Sequence, residues 1–123
     1  GTSYVAERTG TARAIAPGGA VREEPVLDLT DEAEVEGEGG LFSIAFAPDG
    51  SQVYVSYSAK GRLVVERFDW RAEAGEADAR SRRELLSIRH PNPIHWGGLL
   101  AFGPDGELYL LSQSDGLFRI EAR

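Results

Sequence analysis

The sequence predicts an all-β protein built from β-propeller blades, and three observations predict it. First, two stretches nearly repeat one another. Gly39-Gly40-Leu41-Phe42-Ser43-Ile44-Ala45-Phe46-Ala47-Pro48-Asp49-Gly50 leads into Val53-Tyr54-Val55, and Gly97-Gly98-Leu99-Leu100-Ala101-Phe102-Gly103-Pro104-Asp105-Gly106 leads into Leu108-Tyr109-Leu110. From Pro48 to Pro104 is 56 residues, a period that marks a repeat architecture with one blade per repeat. Second, a fainter copy opens the chain: Tyr4 to Gly10, then residues 11–16, match residues 54–68 and 109–122, with tyrosine-to-glycine distances of 6, 7 and 7 residues. Third, 15 glycines in 123 residues suit a sheet protein dense in turns.

Each element follows from its residues. The apolar runs 42–46 and 99–102 read as inner strands buried on both faces. Pro-Asp-Gly then makes a tight turn, because Pro presets φ, Asp bonds back to the backbone and Gly tolerates a positive φ. The next strand alternates, with Val53 and Val55 expected on one face and Tyr54, Ser56 and Tyr57 opposite. Second turns come at Ala59-Lys60-Gly61 and Ser114-Asp115-Gly116, answered by third strands at 62–68 and 117–122. Outer strands are expected at 25–29 and 84–88. The repeats occupy roughly 1–30, 37–89 and 95–123; the first lacks its inner strand and the last its outer strand.

Closed propellers have about 4 to 8 blades, so three blades leave sheet edges and an apolar face uncovered. Two copies forming a six-bladed ring, a piece of a longer protein, or a compact sandwich of the same strands would each resolve this. The abrupt start at Gly1-Thr2-Ser3-Tyr4 fits a trimmed or mature product.

A net charge of −7 argues against nucleic acid and anionic membrane surfaces as partners, since both are bound by basic patches. No apolar run approaches 18 residues, so no membrane insertion is expected, and no signal-peptide pattern is seen. The absence of cysteine excludes disulfides, thiolate metal sites and cysteine nucleophiles. Residues 31–38 carry five acids; they read as a solvated loop, and their spacing matches no calcium loop of the EF-hand type. Residues 71–83 read as an exposed connection between the third and fourth strands of the middle blade, with room for a helical turn.

The most suggestive chemistry lies in Ile88-Arg89-His90-Pro91-Asn92-Pro93-Ile94-His95-Trp96-Gly97-Gly98. Two prolines forbid regular structure and make a rigid loop before an inner strand, at the mouth of a propeller channel. His95 is placed to meet a ligand there, beside Trp96 and two glycines that allow close approach. The equivalent loop puts Glu38 in the same relative place, and a histidine with a carboxylate at one rim could act as an acid/base pair. The bland alternative is a loop histidine bonded to a backbone carbonyl, with Trp96 packed between blades. A His90/His95 metal pair lacks a third ligand at convincing spacing, so no metal site is assigned. No nucleophile elbow or phosphate-cradling glycine loop is present.

In this order, Glu7-Arg8-x-Gly10, Leu27-Asp28-Leu29, Gly37-Glu38-Gly39-Gly40-Leu41 and His95-Trp96-Gly97-Gly98-Leu99 with their Pro-Asp turns resemble the N-terminal portion of the soluble pyrroloquinoline-quinone-dependent sugar dehydrogenases, the glucose/sorbosone dehydrogenase family. The resemblance spans nearly the whole chain and a third to a half of a family member. It implies a six-bladed propeller that oxidises the anomeric carbon of an aldose by hydride transfer to pyrroloquinoline quinone, with calcium as a second cofactor and an extracytoplasmic location. It further implies that His95 is the general base and that Glu38 lies near sugar and cofactor; Trp96 and Arg89 are read from their positions as further contacts. The chain departs from the family at Ser112-Gln113-Ser114-Asp115-Gly116, where Gly-Asp-Gly-Gly is usual, and at Ile94, where a polar residue is common. By the same resemblance the basic anchors of the quinone and the calcium ligands belong to later blades, Arg89 being the nearest candidate here. The alternative function is a non-catalytic propeller scaffold or ligand-binding module that self-associates as a homodimer.

Overall fold

The computed structural model describes residues 1–121. Eleven strands run in chain order: β1 (Ser3–Ala6), β2 (Thr11–Ile15), β3 (Leu27–Asp28), β4 (Leu41–Phe46), β5 (Gln52–Ala59), β6 (Arg62–Arg71), β7 (Glu76–Ala77), β8 (Arg83–Arg89), β9 (Gly97–Phe102), β10 (Leu108–Ser112) and β11 (Gly116–Ile120). They form three antiparallel sheets with orders β1-β2-β3, β4-β5-β6 continuing to β8, and β9-β10-β11. These are propeller blades with inner-to-outer order equal to chain order, the first without an inner strand and the third without an outer one. The final residues of the expected strand 117–122 lie partly outside the described residues, because Ala122 is not among them. The connection 71–83 contains the short β7, which pairs with the end of β6, and one 3-10 turn, Ala79–Ser81, capped by Asp78.

Alternation along β5 determines how the blades pack. Val53, Val55 and Tyr57 enter one core with Ala12, Leu27, Leu29 and Phe68, between the first and middle blades. Tyr54 enters the other, with Leu63, Val65, Leu100, Leu108 and Leu110, between the middle and third blades. Tyr57 therefore shares the face of the valines, contrary to the expected grouping with Tyr54; a residue two beyond Val55 must point the same way in a pleated strand.

The inner strand β4 is flanked on both sides, as its apolar run requires. Its counterpart β9 is not: Leu100 is buried, but Leu99 is 60% exposed. The expectation of burial on both faces fails at β9 because no described sheet covers its far side. No helix of the described residues is long and apolar enough to cross a membrane.

Strand direction gathers the functional loops. The start of β4, the end of β5, the start of β6 and the end of β8 lie at one end of the blades, by their pairings of Leu41 with Tyr57, Ala59 with Arg62 and Arg62 with Arg89, and the loop before β9 joins them through the bond from the Glu38 amide to the Pro93 carbonyl. The turn 7–10, the acidic loop 31–40 and the proline loop 90–96 therefore meet on one rim.

Candidate functional site

Glu38 and His95 come together on this rim although 57 residues separate them. The His95 amide donates to Glu38 Oε1 at 2.8 Å, and the Glu38 amide donates to the Pro93 carbonyl at 2.8 Å. Both residues are exposed. His95 holds φ at 62°, a left-handed conformation uncommon for a residue other than glycine. Its carbonyl accepts from Ser114 Oγ at 3.2 Å, so the residue is tied on both sides by backbone bonds. No hydrogen bond among the described residues uses its imidazole, which leaves both ring nitrogens open to a ligand.

The neighbouring histidine behaves differently. His90 is buried, its Nε2 lies 2.9 Å from the Ile94 carbonyl, and its ring stacks on Trp96 with centroids 4.0 Å apart. The histidine bonded to a backbone carbonyl is thus His90, and it braces the loop that presents His95. Trp96 is also buried; it packs near Phe42 and donates from Nε1 to the Pro93 carbonyl at 3.1 Å. The structure buries Trp96 between blades, with one side lining the small cavity beneath the rim loops. Arg89 ends the outermost strand, three strands from β4; at about 4.8 Å per strand that is about 14 Å away. No hydrogen bond or ion pair among the described residues joins Arg89 to Glu38 or His95.

Glycine-rich sequence around the site serves the protein's own packing. At Gly40, φ is +143°, and a Cβ there would lie 2.2 Å from the Arg8 carbonyl oxygen. At Gly98, φ is +92°, and a Cβ would lie 2.7 Å from the Phe42 ring. The close approach inferred from the sequence for Gly97 and Gly98 is to the chain's own atoms: a Cβ on Gly97 would lie 2.5 Å from the Gln113 amide nitrogen, and one on Gly98 would meet the Phe42 ring.

Arg8 is the residue that sequence reasoning passed over. Its Nη2 donates to the carbonyls of Val35 (2.7 Å) and Gly37, and its Nε to that of Gly39 (2.9 Å). The only signal for it was its place in the Glu7-Arg8-x-Gly10 motif. A cavity of about 110 Å³ lies beneath the same loops, lined by Glu34, Glu36, His90 and Trp96 but by neither Glu38 nor His95. The candidate site is thus an open rim, not a closed pocket. Among the described residues no three histidine or carboxylate side chains are grouped to hold a metal ion.

A quinone with several carboxylates needs cations at this rim. Of the two arginines just described, Arg8 is spent on loop carbonyls and Arg89 stands far out on the blade. Glu38 and His95 offer a carboxylate and an imidazole, and neither Arg8 nor Arg89 is placed to anchor such a group beside them.

Residues 1–122 match the family profile described as Glucose / Sorbosone dehydrogenase. The Hedgehog-interacting protein of Homo sapiens is 30% identical over 136 residues, covering 96% of this chain and 19% of its own length, and that of Mus musculus matches to the same extent. The chain therefore spans about a fifth of the length of these curated relatives. Among solved structures, the PQQ-bound aldose sugar dehydrogenase from Streptomyces coelicolor superposes with a TM-score of 0.77 at 23% identity, over 91% of this chain and 34% of that one. A glucose dehydrogenase superposes with a TM-score of 0.75 at 20% identity, over 97% of this chain and 41% of that one. At these identities the structural matches show the fold, an incomplete propeller, while the profile covers almost every residue. This chain belongs to the glucose/sorbosone dehydrogenase family.

Proposed function

We propose that the chain contributes the first blades of a quinone-dependent aldose dehydrogenase, with His95 as the general base. The observation that carries this reading is the unbonded imidazole of His95, presented at the rim on a backbone fixed from two sides. A neutral imidazole there accepts the proton of a sugar hydroxyl, and a positioned base of this kind contributes about 10²- to 10⁴-fold to a rate. Bound quinone would supply the hydride acceptor. Glu38 spends Oε1 on the His95 amide and has Oε2 to offer a sugar hydroxyl. Cations for the cofactor, and calcium, would come from outside residues 1–121, and an extracytoplasmic location is part of this proposal.

The test adds pyrroloquinoline quinone and calcium to the intact protein and measures melting temperature and dye-linked oxidation of aldoses. The reading expects a rise in melting temperature and turnover, with His95→Gln folded but slowed by about 10²-fold or more. No shift and no turnover would remove it.

A second reading, a non-catalytic propeller used for binding, is favoured by one observation: the curated relatives matched at 30% identity are Hedgehog-interacting proteins. Under it the rim binds a partner without chemistry, and His95→Gln leaves that binding unchanged.

A further inference from the structure

We propose that Glu38 and Arg8 are positioning residues that hold the His95 backbone in its left-handed conformation and so aim its imidazole. The inference deepens the catalytic reading, because aiming matters there only if His95 acts on a substrate.

A histidine at φ 62° is strained and persists only where the surroundings over-determine it. Glu38 supplies that constraint twice. Its amide donates to the Pro93 carbonyl and its carboxylate accepts from the His95 amide, both at 2.8 Å, so it grips the proline loop on either side of Ile94. The second of these is charge-assisted and correspondingly strong. Glu38 is itself held, because Arg8 gathers the carbonyls of residues 35, 37 and 39 on one guanidinium, fixing the course of the chain through residue 38. A fork of five donors can serve three carbonyls at once, which a lysine ammonium on a flexible stem does poorly. Arg8 comes from the first blade, Glu38 from the loop before the middle blade and His95 from the loop before the third. The three make one relay across all the blades, and without it residue 95 would relax to a negative φ and swing the ring away.

The experiment is NMR on the unliganded protein, comparing wild type with Glu38→Ala, Glu38→Gln, Arg8→Ala and Arg8→Lys. Two readouts are taken at residue 95: amide hydrogen exchange, and backbone ¹³C shifts that report the sign of φ. In Glu38→Ala and Arg8→Ala the His95 amide should exchange at least about ten-fold faster, with a shift toward negative φ, while amides of the strand cores stay protected. Glu38→Gln keeps an acceptor oxygen and should stay near wild type, and Arg8→Lys should fall between. A general loss of stability would instead raise exchange throughout the chain. Should an alanine variant not fold, Arg8→Lys decides: faster exchange confined to the proline loop supports the relay, and wild-type exchange overturns it. Unchanged exchange and shifts at His95 in folded Glu38→Ala and Arg8→Ala overturn the inference outright. None of these readouts requires turnover, so failure of the relay and failure of the dehydrogenase reading are separately visible. If the holoenzyme turns over, Arg8→Ala should lower kcat by about 10²-fold with KM nearly unchanged, as expected for a misplaced group about 1 Å out of position.

Discussion

Tyr57 donates its hydroxyl proton to Glu66 Oε1 at 2.6 Å in a buried setting. Burial, and then that hydrogen bond, push its pKa well above the usual phenol value. A group whose pKa is raised by folding contributes stability fully below its unfolded pKa, near 10, and loses it as pH climbs toward the folded value. The melting temperature should therefore fall above about pH 10, and Tyr57→Phe should flatten part of that fall. Tyr54, raised by burial, and Tyr109, raised first by its bond to Asp105, supply the remainder. At neutral pH, Tyr57→Phe should cost about 1.5–3 kcal/mol, the value of a hydrogen bond to a charged acceptor. Gly40→Ala is the severest small change at this scale. Its Cβ would overlap the Arg8 carbonyl, so a loss of about 3 kcal/mol or more is expected in urea denaturation.

Between elements, serines do the joining where apolar strands leave backbone groups without partners. Ser56 on β5 donates to the Gly98 carbonyl on β9, and Ser43 on β4 accepts from the Leu100 amide at 3.0 Å. Both serines are buried, and a buried polar group is tolerated when it is paired. Ser56→Ala should cost about 1–3 kcal/mol, because it strands a buried carbonyl oxygen, with the urea m-value unchanged. On the opposite side of the middle blade, β6 contributes Glu66, which meets Arg82 Nη2 at 2.6 Å. Arg82 also lies 3.7 Å from Glu32, and its guanidinium sits over the Phe68 ring. Glu66→Ala should cost about 3 kcal/mol, since a half-buried arginine loses its main partner. The expected exposed connection at 71–83 is thus partly recruited, and the acidic loop, read from sequence as solvated, lends Glu32 to the same network.

Among the described residues, the far face of the third blade is apolar and without a neighbour. Leu63, on the side of the middle blade that meets the third, is fully buried, while Leu117, on the corresponding side of the third blade, is 67% exposed. Leu99 and Leu111 stand beside it, also exposed. A face of this kind matches what another blade covers elsewhere in the chain, and apolar patches in water drive association. The 123-residue chain alone should self-associate in a concentration-dependent way by light scattering. Leu111→Lys with Leu117→Lys should keep it monomeric at little cost in stability, because both side chains already contact water. A monomer at every concentration would show that the face is not adhesive.

The blades were legible in the chain alone. Period, Pro-Asp-Gly turns and strand alternation are local properties, set by backbone geometry over a few residues, and they sufficed for the strand order, the missing inner and outer strands and the rim that holds Glu38 and His95. The misplacement of Tyr57 came from misreading that alternation, not from its absence. How the rim is built emerges from the packed sheets: Glu38 meets the amide of His95, Arg8 holds the Glu38 loop, and Trp96 is buried between blades. Those outcomes rest on hydrogen bonds and packing between loops of different blades. Such contacts leave no periodic trace in the chain, because each depends on where two remote segments arrive after the sheets have packed.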